Sequence, residues 1–133
     1  MDSVPHYAVV TVSPVAFDAT VEAVKAALSA QGFGVMCEID VSGTLKKKLD
    51  ADTPRTLILG ACNPQLALRA LTAVPDIATL LPCNVVVRQQ GERVEIAMIN
   101  PLMMANLIAH PEVDAVATEA DQRLRAAIDS VVG

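Results

Sequence analysis

The chain has 133 residues, of which 53% are hydrophobic, 19% are charged and 2% are aromatic. This length fits a single domain, residues 1–133, which can bury enough surface to fold without a disulfide or a metal. The hydrophobic fraction excludes a disordered chain. The net charge of −5 excludes the basic surface on which nucleic-acid binding depends, and so few aromatic side chains make no platform for stacked bases. We therefore expect no nucleic-acid partner.

Cysteine usage and hydropathy predict a cytoplasmic protein. The three cysteines, Cys37, Cys62 and Cys83, form neither a disulfide framework nor a zinc-finger pattern, which is typical of a reducing compartment. The first residues lack the basic segment and the apolar core of a signal peptide. No apolar run approaches the ~20 residues that span a bilayer, so we expect no membrane partner.

In chain order, the sequence first predicts a strand, a helix and a second strand. Tyr7–Val12 is rich in the β-branched residues that strands favour. Apolar residues at helical spacing then predict a helix over about Ala19–Gln31, with Asp18 as its N-cap and Gly32 as its left-handed stop. Val35–Ile39 shows the period-two alternation of a half-buried strand.

A short helix follows, for which Ser42 is the predicted N-cap. Leu45 and Leu49 are about one helical turn apart, so we expect both to face inward. The lysines Lys46–Lys48 then lie outside. Three adjacent lysines can attract an anion, but a solvated helix face is the favoured interpretation.

The middle of the chain predicts a buried strand followed directly by a helix. Thr56–Leu59 is apolar on both faces, which is typical of a central, covered strand. It enters the turn Gly60–Pro64, where Asn63 occupies an N-cap position and Pro64 the first helical position. The predicted helix continues to Pro75.

The last part of the chain predicts a hairpin and a long helix. Asp76–Leu81 is expected to form one more helical turn before the hairpin. The strands Cys83–Arg88 and Arg93–Ile99 are joined by a turn in which Gly91 supplies a positive φ angle. After a short turn through Leu107, apolar residues at helical spacing predict a final helix over Pro111–Val132.

This element order predicts an α+β domain with a curved, mainly antiparallel five-stranded sheet. The two main helices, Ala19–Gln31 and Pro111–Val132, should cover one face of the sheet, and the other helical segments are short insertions. The sequence contains neither an internal repeat nor a linker, so we expect a single domain.

Two cysteine-containing motifs identify a family that this chain resembles. They are Gly60-Ala61-Cys62-Asn63-Pro64 and Leu80-Leu81-Pro82-Cys83-Asn84-Val85. Together with Phe17 and the Leu45–Leu49 segment, they resemble the domain of unknown function 302 family over about Val12–Val131. The resemblance implies a fold similar to one TATA-box-binding-protein repeat (β-α-β4-α) and a homodimer. It implies no reaction and nothing about DNA, because function resides in sites rather than in folds.

Both motif cysteines are predicted at the junction of a strand and a proline-marked turn. If the two strands are neighbours, Cys62 and Cys83 meet, and Asn63 and Asn84 can line the same pocket. The N-terminus of the following helix can stabilise a thiolate at Cys62. Two thiolates suit a soft metal or a reversible disulfide. The candidate ligand-binding residues are thus these four, with the two cysteines as candidate metal ligands.

Three functions remain open at this point. The favoured hypothesis is a cytoplasmic homodimer that binds a small molecule or a metal beside Cys62 and Cys83. The second is a thiol-based redox enzyme or sensor in which Cys62 is the reactive sulfur and Cys83 its resolving partner. The third is a structural or interaction domain in which both cysteines are packing. No phosphate loop, nucleophile elbow or acid–base pair is present in the sequence, which favours binding over catalysis.

The remaining sulfur and imidazole side chains are interpreted as structural. Cys37 lies within an alternating strand and is expected to be inert. His6 and His110 lie near the ends of predicted elements, and neither has a neighbour at metal-ligand spacing. The thioethers are possible ligands of a soft metal, but core filling is the favoured interpretation; they are Met36, Met98, Met103 and Met104.

Overall fold

The computed structural model describes residues 7–133, so the candidate His6 lies outside the described residues. Five strands are present: β1 (Ala8–Val12), β2 (Gly34–Asp40), β3 (Thr56–Cys62), β4 (Cys83–Gln90) and β5 (Arg93–Ile99). The α-helices of this part of the chain are α1 (Phe17–Ala30), α2 (Val41–Leu49), α3 (Pro64–Ala73), α4 (Leu102–Leu107) and α5 (Pro111–Val132). A 3-10 helix spans Pro75–Leu80.

The strands form one antiparallel sheet in the order β1-β5-β4-β3-β2. The first strand therefore pairs with the last, and β1 and β2 are the two edges. The predicted α+β class and antiparallel sheet are confirmed. The order also makes β3 and β4 direct neighbours, which the sequence left undecided because a long segment connects them.

One face of the sheet carries the core, because strand side chains alternate between two faces. Val85 and Val87 of β4 and Ile96 of β5 are fully buried in one cluster with Leu28 of α1 and Leu124 of α5. Both main helices therefore pack on this face, as predicted. Burying such a side chain stabilises the fold by roughly 1.5–3 kcal/mol, so this layer supplies much of the folding free energy.

We call the opposite side of the sheet the open face. An apolar row crosses it, in which each residue pairs in register with the next strand. The row consists of Val10, Ala97, Val86, Ile58 and Ile39. Its two ends are exposed, Val10 at 38% and Ile39 at 48%.

Helix α1 begins two residues before its predicted start. Its N-cap is Ala16, which makes no side-chain cap bond, so the prediction of Asp18 as N-cap is wrong. Asp18 lies instead in the first turn and pairs with Arg55 at 2.8 Å. Gly32 has a φ of +82° after the last turn, which confirms it as the stop.

Helix α2 departs most from its prediction. Its N-cap is Asp40, which accepts a hydrogen bond from the Gly43 N–H at 2.9 Å, so the assignment to Ser42 is wrong. None of its residues is buried, and Leu49 is 71% exposed. The prediction that Leu49 faces inward is therefore wrong, because α2 does not pack over the apolar layer. Lys46 is exposed and paired with neighbouring aspartates, in agreement with a solvated lysine face.

In residues 7–133, no helix combines the length and the apolar character needed to cross a membrane.

Candidate functional site

The candidate site lies where β3 ends and β4 begins. Ala61 pairs directly with Cys83, and Cys62 is the last residue of β3, one position beyond that pair. The chain then turns into α3, with Asn63 as N-cap and Pro64 at the first position, as predicted. On the other side, β4 starts immediately after Pro82. The two cysteines therefore occupy the same end of adjacent strands.

A small apolar cavity of about 30 Å³ opens at this end of the sheet. Cys62, Asn63 and Cys83 all line it. Its walls also include Phe33, which directly precedes β2, and side chains from α3, the 3-10 helix, α4 and α5, namely Leu66, Ile77, Met104, Val116 and Ala120. The site thus joins the strand ends to four helical segments.

The two cysteines differ in exposure and in acidity. Cys62 is half-buried, whereas Cys83 is 7% exposed and belongs to the core cluster; neither is in a disulfide. Burial, and to a smaller extent the charge of the neighbouring Cys62, raises the pKa of the Cys83 thiol to about 11. Cys83 is therefore a protonated thiol at neutral pH. That the two sulfurs share one ligand stays a prediction.

The two motif asparagines are in different surroundings. Asn63 is buried, and its Oδ1 accepts a hydrogen bond from the Leu66 N–H at 3.2 Å, so its role in α3 is that of a cap. Asn84 is exposed and lies opposite Gly60 on the neighbouring strand. It does not line the cavity, so the structure brings together Cys62, Asn63 and Cys83 but not Asn84.

Cys37 is exposed on the edge strand β2. It lies opposite Gly60. A Cβ atom at Gly60 would be 2.6 Å from the Cys37 Sγ and 3.0 Å from the Pro82 Cγ, so only glycine fits there without a shift. Cys37 therefore packs across the backbone of β3, outside the cavity.

The remaining candidates are mostly structural. His110 caps α5 by accepting a hydrogen bond from the Glu112 N–H on its Nδ1 at 3.1 Å. Met98 and Met104 are buried core residues, as predicted, whereas Met36 is 70% exposed and does not fill the core. Within residues 7–133, no group of three or more His, Cys, Asp and Glu side chains is arranged to hold a metal.

A buried carboxylate on the open face was missed by the sequence analysis. The Glu95 side chain is 9% exposed and accepts hydrogen bonds from Arg88 Nε at 2.9 Å and Arg93 Nη2 at 3.1 Å. Arg88 lies directly opposite Glu95 in the β4–β5 hairpin. The sequence does carry a signal for this cluster: a glutamate lies inside an apolar strand, and the glutamate faces an arginine across the predicted hairpin. Because both partners are on the same hairpin, this cluster stabilises the sheet locally.

The fold and the site define a class: a small α+β domain with one antiparallel five-stranded sheet and a cysteine-lined cavity at one end. The profile of the domain of unknown function DUF302 matches residues 9–131. The chain therefore belongs to the DUF302 family, as the two motifs predict.

A solved structure supports the same fold. The chain is similar to an uncharacterized conserved DUF302 protein from Bacillus stearothermophilus, with 28% sequence identity and a TM-score of 0.88. The similarity covers 94% of this chain and 98% of that one. No curated protein matches the chain.

Proposed function

We propose that this chain is a homodimeric binding domain that holds a soft metal ion between Cys62 and Cys83. The observation that carries the proposal is that both cysteines line one cavity at the ends of neighbouring strands. Because successive side chains of a strand point to opposite faces of the sheet, regular geometry in β3 would point Cys62 away from the face that carries Ala61. However, Cys62 is the last residue of the strand, and its charge contributes to the raised pKa of Cys83, which supports proximity of the two sulfurs.

The size of the cavity favours an ion over an organic molecule. Pockets for small organic ligands commonly enclose ~300–1,000 Å³. A cavity of about 30 Å³ has room for one or two water-sized groups and therefore for a metal ion. Thiolate sulfur is the ligand that soft metals prefer.

The chemistry of Cys83 favours binding over thiol redox catalysis. The reactive form of cysteine is the thiolate, and the raised pKa of Cys83 leaves this group protonated at neutral pH. A resolving cysteine in this state attacks slowly. A metal ion overcomes the same obstacle because it displaces the proton as it binds.

The open face supports the homodimer. Its apolar row crosses all five strands, and both ends of the row are exposed. Helix α2, at the end of the edge strand β2, has no buried residue and exposes Leu49. A second copy of the chain can cover such a surface with the same surface of its own, as in twofold symmetric dimers.

We also propose a cytoplasmic location. Its support is that Cys37, Cys62 and Cys83 are all free thiols, and free thiols persist in a reducing compartment. A soft-metal site made of thiols also requires that they stay reduced.

Metal analysis tests the binding site. Protein purified anaerobically would be incubated with copper(I), zinc(II) or cadmium(II), desalted and analysed for bound metal per chain. We expect about one equivalent of at least one of these ions in the wild type and in the control Cys37→Ser, whose cysteine lies outside the cavity. Cys62→Ser and Cys83→Ser should lose it. Equal retention by all variants, or none by the wild type, contradicts the site and leaves the structural interpretation of the cysteines.

Light scattering tests the dimer. At micromolar concentration the wild type should have twice the chain mass of 14.0 kDa. Val10→Lys, in the apolar row, should give the monomer mass, whereas Leu68→Lys, at a 68% exposed position on α3, should not. A wild-type mass near 14.0 kDa would refute the dimer.

A further inference from the structure

The cavity contains a third sulfur besides those of the two cysteines. Met104, from α4, lines it together with Cys62 and Cys83 and is only 4% exposed. A thioether is a soft, uncharged metal ligand. The other polar group in the lining, the Asn63 amide, already accepts the capping hydrogen bond of α3 through its Oδ1. The donor atoms of this lining that a soft ion prefers are the three sulfurs.

We propose that Met104 supplies a third ligand and that this all-sulfur site selects a monovalent soft ion of the copper(I) class over zinc(II). The inference rests on the proposed metal site at Cys62 and Cys83. It goes beyond that proposal by adding a ligand from a distant part of the chain and by assigning the class of ion.

The ligand preferences of zinc(II) and copper(I) decide the choice of ion. Zinc in structural protein sites takes four ligands, drawn from cysteine sulfur, histidine nitrogen and carboxylate oxygen. The thioether is not among these ligands, so the lining offers zinc only the two thiolates of the four ligands that it takes. Combinations of thiolate and thioether ligands favour copper(I).

The balance of charge and protons is compatible with this ion. Two thiolate ligands and one monovalent cation give the loaded site one net negative charge. Helix α3 begins at Pro64, two residues after Cys62, and the positive end of its dipole lies beside that charge. Because the cysteines bind the ion as thiolates, protons compete with it, and binding should weaken as the pH falls.

A conservative variant tests the third ligand. Met104→Leu keeps the volume of the side chain and removes the sulfur, so the fold should be retained. We expect the copper(I) affinity, measured by competition with a coloured copper(I) chelator, to fall by about 10-fold or more. Met98→Leu is the matched control, because Met98 is equally buried but does not line the cavity. X-ray absorption should find three sulfurs around copper in the wild type and two in Met104→Leu.

The outcomes separate the two proposals. Retention of zinc(II) or cadmium(II) but not of copper(I) at Cys62 and Cys83 would overturn this inference alone, whereas the absence of any bound metal in the wild type would contradict both proposals. Equal affinities in the wild type, Met104→Leu and Met98→Leu would leave the cysteine site intact and overturn the role of Met104. Displacement of bound copper(I) by equimolar zinc(II) would overturn the assignment of the ion class.

Discussion

Replacement of Asn63 tests whether this motif residue acts on the fold or on a ligand. Asn63 is 8% exposed, and its Oδ1 accepts the hydrogen bond from the Leu66 N–H at the start of α3. In Asn63→Ala this buried donor loses its partner. Loss of an N-cap costs about 0.5–2 kcal/mol, and an unsatisfied buried N–H about 1–3 kcal/mol. These two costs describe the same loss, so we expect a decrease in the free energy of unfolding of about 1–2 kcal/mol.

Urea unfolding, followed by far-ultraviolet circular dichroism, measures this decrease, and calorimetry should show a melting temperature lower by roughly 5 °C. Asn63→Asp keeps the cap and should remain close to the wild type. Asn84→Ala is the matched control, since this exposed motif residue should change stability by less than about 0.5 kcal/mol. Equal losses in Asn63→Ala and Asn84→Ala, or no loss in Asn63→Ala, would refute the capping argument.

Three further predictions concern the core, the acidity of the site and the close approach of two strands. Leu124→Ala, at a fully buried position of α5, should lower the free energy of unfolding by about 2–5 kcal/mol in urea, whereas Leu68→Ala, at an exposed position, should change it by less than about 0.5 kcal/mol. The folded state holds the Cys83 proton more tightly than the unfolded state, since burial raises the pKa from 9.0 to about 11. This stabilisation is complete below pH 9 and is lost towards pH 11. Between pH 8 and pH 10.5 the free energy of unfolding of the wild type should therefore fall by roughly 2 kcal/mol more than that of Cys83→Ala. Equal decreases in the two proteins would contradict the raised pKa of Cys83. Gly60→Ala should lower the free energy of unfolding by about 1–3 kcal/mol, because the new Cβ meets the Cys37 sulfur. In a double-mutant cycle, Cys37→Ala should recover part of that loss. Full additivity of the two substitutions would show that the two positions are independent.

Local patterns in the sequence determined most elements of this fold. The cap and proline at Asn63 and Pro64, the stop at Gly32 and the apolar stripe of α5 each depend on residues within one or two helical turns. Such signals are complete in the sequence because the hydrogen bonds they report close within a few residues. The same local logic gave the α+β class, and the two cysteine motifs gave the family.

Tertiary structure alone decided which of these elements meet. The pairing of β3 with β4 brought Cys62 and Cys83 to one cavity, and it depends on contacts across the whole sheet. Met104 reached the same cavity through the packing of α4 on α5, for which its local sequence carries no signal. The exposure of Leu49 has the same origin. Periodicity reports which side of an element is apolar, whereas long-range packing determines what, if anything, covers that side.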